Sequence, residues 1–342
     1  MRIGAIDIGT NSMRLLTADY EDGKLKNRRK FVNTTRIGEG VDKTGNITEG
    51  AIDRNIEALV EFKAICGEEG CERLYCMGTS ALRDAKNSSE FIRRAKEEAG
   101  IEVEILPGEK EADLGLIGVI EGLDSTGSVS SAGSVGGIGS VSNAGSISSA
   151  ETVFSLKSDE NSEELVLVLD IGGGSTEFVV GNSHGIRYNK SENVGALRMT
   201  EKFLSKDQVN SQEYLDMEEF LNKQILGTVE IVKSMGIKKL IGIGGTITSL
   251  SAMNQKLEVY SMEKVHNSKI CKKDVELILQ NLKKMSVGDK KALPGLQEKR
   301  ADIITAGVEI LNITMKKLGF EEITVSEYDN LEGIICEKEG NL

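Results

Sequence analysis

Three segments of this chain combine small backbone, hydroxyl donors and carboxylates in a way that suits a polyanion and a cation. Asp170-Ile171-Gly172-Gly173-Gly174-Ser175-Thr176 follows an apolar run. Its successive glycines carry no Cβ, so backbone can approach a ligand closely. Consecutive N–H groups there can form an anion nest, and Ser175 and Thr176 add hydroxyl donors. A carboxylate beside phosphates suits magnesium or manganese, often through bound water. Asp170 is therefore a candidate metal ligand, with Glu177 on the following strand to complete the site and Asp7 as the counterpart of Asp170 in the first loop. The other two segments, Asp7–Ser12 and Gly242–Thr246, also follow apolar strands and also carry Gly followed by Ser or Thr. The third of these places Gly244, Gly245 and Thr246 together.

Neither common phosphate fingerprint is present. The chain lacks Gly-x-x-x-x-Gly-Lys-[Ser/Thr] and Gly-x-Gly-x-x-Gly, so phosphate is expected to be held in another way. The net charge of −12 disfavours nucleic acid as a partner, because a binding footprint for it is basic. A phosphate must instead be held locally, by backbone N–H groups, a metal ion and a few arginines. Five cysteines without Cys-x-x-Cys spacing, and two distant histidines, argue against zinc and for reduced thiols. No run is long enough to span a membrane, and the N-terminus does not read as a secretory signal, so a cytoplasmic location is expected.

The elements that must position these loops repeat. Ile3–Ile6, the Asp7 loop, Met13–Tyr20, an Asp22-Gly23 turn and Leu25–Val32 read as strand, loop, strand, turn, strand. Leu165–Leu169, the Asp170 loop, Glu177–Val180, a turn and Ile186–Asn189 read the same way, which points to a duplicated fold. Helical periodicity follows Thr48, spans Ser88–Ala99 and Glu109–Glu121, and marks Gln212–Met235, Lys272–Met285 and Glu298–Leu318. Further strands are expected at Arg73–Met77, Ile101–Leu106, Lys239–Ile243 and Ile323–Ser326, before a final helix. From Ser125 to about Ser162 the chain is Gly/Ser-rich and partly repetitive, with too little apolar mass to offset ordering, and reads as a flexible insert. The domains are accordingly 1–122, an insert at 123–163 and 164–319, with about 320–342 packing back on the first.

Several motifs together resemble the exopolyphosphatase/guanosine pentaphosphatase family. They are Asp7-Ile8-Gly9-Thr10-Asn11-Ser12-Met13-Arg14, Thr35-Arg36-Ile37-Gly38-Glu39-Gly40, Thr79-Ser80-Ala81-Leu82-Arg83-Asp84-Ala85, Gly108-Glu109-Lys110-Glu111-Ala112 and the Asp170 loop with Glu177. Gly242–Thr246, Ala292-Leu293-Pro294-Gly295-Leu296 and Arg300-Ala301-Asp302 agree in order and spacing. The resemblance implies an α/β fold of two ribonuclease-H-like domains of the actin-like type, with the site in the cleft between them. It implies Glu111 as catalytic base, and the first turn of a helix favours the ionised form that a base needs. It also implies metal binding by Asp170 and Glu177, and phosphate contacts from Thr10, Asn11, Ser12 and Arg83. Where the family shows Ser-x-x-Gly-x-Arg-Glu-Gly, this chain has Asp329 and Leu331 at the Gly and Arg positions, so no phosphate contact is assigned there. The family's longer members continue into a helical region beyond the point where this sequence stops.

The reading that follows is hydrolysis of the terminal phosphate of inorganic polyphosphate, with magnesium or manganese and Glu111 as general base. Guanosine pentaphosphate is the nearest alternative substrate. A kinase or a nucleotide-driven chaperone of the same superfamily are the alternatives of other classes. A homodimer is compatible with the sequence.

Overall fold

The computed structural model describes residues 1–126, 164–204 and 207–340. Most of the expected Gly/Ser insert lies outside the described residues. The first sheet holds β1 (Arg2–Ile8), β2 (Met13–Glu21), β3 (Lys24–Asn33), β4 (Arg73–Gly78) and β5 (Glu104–Ile105) in the order β3-β2-β1-β4-β5. The second holds β6 (Val166–Ile171), β7 (Thr176–Asn182), β8 (Gly185–Glu192), β9 (Lys239–Ile243), β10 (Lys269–Cys271) and β11 (Glu322–Val325). Its order, β10-β11-β9-β6-β7-β8, repeats the first sheet and adds β10 at the edge. In both, an antiparallel three-strand meander continues into parallel strands. The duplication inferred from the loops is thus a duplication of topology.

The strands form where the pattern demands them. β1 and β6 sit mid-sheet, and all but the first residue of β1 is buried, as expected for strands covered on both faces. Asp22 (φ 52) and Gly23 (φ 74) both take left-handed backbone, the geometry that matches the twist of a two-residue hairpin. Thr48 caps the Glu49–Glu68 helix by accepting from Ala51 N at 3.3 Å.

Two helices join the halves. The Gly108–Thr126 helix presents Ala112, Leu116, Val119 and Leu123 to Val166, Val168, Val179, Ile241 and Ile243 of the second sheet. Its Leu114 turns the other way, into a core with Ile3, Ala5 and Leu16. The Asn330–Gly340 helix enters that same core through Leu331, Ile334 and Ile335. The two helices touch backbone to backbone: a Cβ on Gly118 would lie 2.0 Å from Asp329 O, and one on Gly333 the same distance from Leu114 O.

Several boundaries differ from the sequence reading. The segment 320–342 does not pack back as a unit: β11 belongs to the second sheet, and only the Asn330–Gly340 helix crosses over. The Gly108–Thr126 helix, placed with the first domain, serves both halves. The helix expected over Gln212–Met235 is two, Ser211–Gln224 and Leu226–Ser234, broken at the fully buried Ile225. Glu298–Leu318 is a short 3-10 turn at Glu298–Arg300 followed by a helix over Ile304–Leu318. The strand at Ile101–Leu106 shrinks to β5. Gly244–Thr246 is the first turn of a helix over Gly244–Asn254, not a loop. The helix Ala196–Phe203 and strand β10 were not anticipated.

Candidate active site

The first two glycine loops are the same turn built twice. Gly9 N donates to Ser12 O at 3.1 Å, and Gly172 N donates to Ser175 O at 3.0 Å. The loops face each other across the cleft. A Cβ on Gly173 would lie 3.0 Å from Asn11 N, and one on Gly174 would lie 2.6 Å from Thr10 Oγ1 and 2.5 Å from Ser80 Oγ. The carbonyl of Gly172 accepts from Ala196 N, and that of Gly173 from Leu197 N and Arg198 N, at 2.9–3.0 Å. In trans peptides the N–H groups of Gly173 and Gly174 then point the opposite way. Gly244 (φ +83) completes the wall; a Cβ there would lie 2.1 Å from Asp170 Oδ1, and one on Gly245 2.2 Å from the Arg300 guanidinium.

Asp7, Thr10, Asn11, Ser12, Glu111, Asp170, Gly172, Gly173, Gly174, Ser175, Gly244, Gly245 and Thr246 all line one cleft, as the sequence reading required. Three expected residues are not on its wall. Arg83 donates to Glu111 Oε2 at 2.7 Å and to Leu106 O at 2.8 Å, so it orients the carboxylate and does not reach for phosphate. Thr176 is fully buried and donates to Val194 O at 2.5 Å; strand alternation turns its side chain away from the loop. Glu177 stands directly across the ladder from Asp170, behind Ser175. Its Oε1 accepts from Ser175 Oγ at 2.6 Å and Ser191 Oγ at 2.8 Å.

Other residues enter the cleft without having been singled out. Arg14 bonds Asp7 Oδ2 at 2.5 Å and Asp329 Oδ2 at 2.6 Å. It lies across the ladder from Asp7 as Glu177 lies from Asp170, so the internal repeat marks its position. Arg300 is buried and donates to the Ser12 hydroxyl at 3.3 Å. Burial, with Arg14 nearby, pulls it down to about 10. It lines the cleft, and among the described residues no carboxylate forms an ion pair with it. Thr79, Ser80 and Asn330 also line the cleft. Asp329, put aside at the sequence level, braces Arg14 and Lys30; burial alone would raise its carboxyl, but these cations hold it well below the usual carboxylate range.

The buried carboxylates are electrostatically expensive. Glu111 is pushed up to about 7 by burial, which outweighs the opposing pull of Arg83. Asp170 is pushed up to about 7 by burial too, Glu111 and Asp329 adding to it against Arg14. Burial also raises Glu177 well above its ordinary value, with Glu111 and Asp170 contributing.

The donors present fit a hard divalent cation. Among the described residues, the Asp170 carboxylate has a single long hydrogen bond, from Asn330 Nδ2 at 3.4 Å, and the buried Asp7 Oδ1 and Asn330 Oδ1 have no hydrogen-bond donor. All are oxygen atoms, as magnesium and manganese prefer. Among the described residues no three His, Cys, Asp or Glu side chains converge closely enough to enclose an ion. Magnesium, which keeps waters and leans on one or two carboxylates and substrate phosphates, needs no such cage.

The sequence model of the Ppx/GppA phosphatase family matches residues 18–137 and 150–342. A bifunctional 3-dehydroquinate synthase/phosphatase of Fusobacterium nucleatum is 31% identical over 97% of this chain, which spans 46% of that longer protein. Exopolyphosphatase 2 of Mycobacterium tuberculosis is 29% identical over 97% of both chains. The crystal structure of the Aquifex aeolicus member of the Ppx/GppA family superposes with a TM-score of 0.73 at 28% identity, covering 100% of this chain and 98% of that one.

Proposed function

Because the chain belongs to the Ppx/GppA phosphatase family, a family of phosphoanhydride hydrolases, we propose that it is an exopolyphosphatase, removing terminal phosphate from inorganic polyphosphate. The observation that carries this is the cleft itself. Two facing glycine turns, a buried cation and the carboxylates of Asp7 and Asp170 surround a space that Glu111 enters from the first turn of a helix beside them.

The chain's own residues account for most of the chemistry. The Gly173 and Gly174 N–H groups, the Thr10 and Ser12 hydroxyls and the Asn11 Nδ2 group, which donates to nothing among the described residues, hold the terminal phosphates. Arg300 supplies the positive charge that its surroundings leave unmatched. Arg14 is braced by two carboxylates and keeps Asp7 compensated. Glu111, aimed by Arg83 and raised toward neutrality, takes a proton from water. The water oxygen bonds to the terminal phosphorus, the bridging P–O bond breaks, and the products are inorganic phosphate and a chain one unit shorter. Asp170, with Asp7 and the charge of Glu177 across the ladder, would hold magnesium or manganese, which when bound neutralises charge on the phosphoryl oxygens.

A second reading, a guanosine pentaphosphate 5′-phosphohydrolase, is favoured by one feature. A cavity of about 420 Å³ adjoins the cleft past Arg14 and Arg300, with Tyr260, Met262 and Thr248 on its wall, large enough for a nucleoside. No helix among the described residues is long and apolar enough to cross a membrane, and we place the activity in the cytoplasm. Phosphate release from long-chain polyphosphate, guanosine pentaphosphate and ATP, measured in parallel with magnesium and with EDTA, tests the proposal. Release from polyphosphate that EDTA abolishes is the expected result. Release from guanosine pentaphosphate alone supports the second reading. Turnover of ATP alone, with or without a phosphate acceptor, sinks both and leaves the kinase or chaperone alternative.

A further inference from the structure

Asn330 opens the last helix, yet its side chain plays no part in starting it. Asp329 is the cap: its Oδ1 accepts from Leu331 N at 3.0 Å, and its own N–H donates to Glu332 Oε2 at 2.9 Å. This reciprocal pair fixes the helix start and frees the Asn330 amide for something else. That amide is 2% exposed and lines the active cleft. Its Nδ2 lies 3.4 Å from Asp170 Oδ2, the one side-chain hydrogen bond of Asp170 among the described residues. Its Oδ1 is buried and receives no hydrogen bond from the described residues. Gly115, one turn beyond Glu111 on the neighbouring helix, makes the space: a Cβ there would lie 3.0 Å from that oxygen. Turning the amide over would set its oxygen against the Asp170 carboxylate, so Asp170 determines the orientation. A buried acceptor without a donor is costly and calls for a partner that enters with the loaded site.

We propose that Asn330 is a positioning residue for the divalent cation, holding Asp170 through Nδ2 and accepting through Oδ1 from a water of the ion's hydration shell. This rests on the reading of Asp170 as the ion's carboxylate in the proposed phosphohydrolase. Partners that orient a metal-binding carboxylate in this way typically carry 10–100-fold in metal affinity.

The test is Asn330→Leu, branched at the same atom but larger and unable to donate or accept. Free Mn²⁺ measured by electron paramagnetic resonance, on the full chain without substrate, gives the Kd directly. The expected result is a Kd raised about 10–100-fold, with an equal shift in the magnesium concentration that half-saturates phosphate release. KM at saturating magnesium and the melting temperature should hold or, for the latter, rise, because an unmatched buried oxygen is removed. A merely structural amide would lower the melting temperature and leave the Mn²⁺ Kd alone. If the leucine variant fails to fold, Asn330→Ala carries the same expectation without added bulk. An unchanged Kd in a folded variant, or no Mn²⁺ binding by the wild type, overturns the role of Asn330. Absence of phosphate release by the wild type, with a Kd that still moves on substitution, overturns the proposed reaction and leaves the role of Asn330 standing.

Discussion

The two hairpins at the centre of the cleft, β1–β2 and β6–β7, share a turn, a register and a leading aspartate, and differ in what stands opposite that aspartate. In the first, Asp7 faces Arg14; in the second, Asp170 faces Glu177. Directly opposed unlike charges stabilise a ladder and like charges destabilise it. In the first hairpin Asp7 has a cation paired with it, Arg14 being tied to both Asp7 and Asp329, and only its Oδ1 lacks a donor among the described residues. The second stacks two buried carboxylates whose hydrogen-bond donors among the described residues are two hydroxyls and an amide. One fold motif, used twice, has become a braced wall on one side and an unsatisfied negative wall on the other. The unsatisfied side is where a cation belongs.

Glu111 is the carboxylate that neither hairpin balances, and its removal should have the largest effect. Glu111→Gln should lower kcat by about 10²–10⁴, the usual worth of general-base catalysis, with substrate binding and melting temperature nearly unchanged. Near-wild-type kcat would end its role as base. In the wild type, kcat/KM should rise with pH through an ascending limb near 7, where Glu111 and Asp170 become ionised, and in the glutamine variant the limb should move to lower pH, because the charge of Glu111 that helps to raise Asp170 is gone.

The hairpins themselves should respond with opposite sign. Arg14→Met leaves Asp7 and Asp329 uncompensated in a buried setting and should cost about 3–5 kcal/mol, read by denaturant unfolding. Glu177→Gln should stabilise. The Glu177 carboxyl is raised in the fold, so its ionised form opposes folding. Its favourable contribution is complete only below the ordinary carboxylate pKa and is lost as pH climbs toward the raised one. The gain on substitution should accordingly grow above about pH 4.5, the ordinary value for glutamate. Equal signs for the two variants would refute the contrast between the walls.

Smaller effects sharpen the picture. Arg300→Met removes the cleft's unmatched cation and should raise KM for polyphosphate about 10–100-fold, corresponding to one or two charge-assisted bonds, with kcat less affected. Thr176→Val removes only the bond to the Val194 carbonyl. It should cost about 0.5–1.5 kcal/mol of stability and leave phosphate release intact, measured by melting and steady-state rates on one preparation. A large loss of kcat would return Thr176 to the phosphate site.

What the sequence by itself determined is what local geometry dictates. Glycines after apolar strands marked backbone that a ligand could approach closely; in the fold, Gly173, Gly174 and Gly244 also leave no room for a Cβ against Asn11, Thr10, Ser80 and Asp170. Alternation and turn residues placed the strands, and the repeated Asp-Ile-Gly loop revealed the duplication. Boundaries such as Ile225 and Glu298–Arg300 escaped because helical periodicity persists through a break, and only packing shows that the chain turns there. The destinations of long side chains lay outside any local signal. Arg83 could as well have reached phosphate, but folding brings Glu111 within 2.7 Å of it. Arg300 meets Ser12, and Asn330 meets Asp170, only after two crossing helices bring the ends of the chain to the cleft. Glu177 looked like a free ligand until β8 supplied Ser191 to hold it. Charge type and spacing can be read along a chain. Which charges are matched depends on partners far away in sequence, and only the tertiary structure decided that.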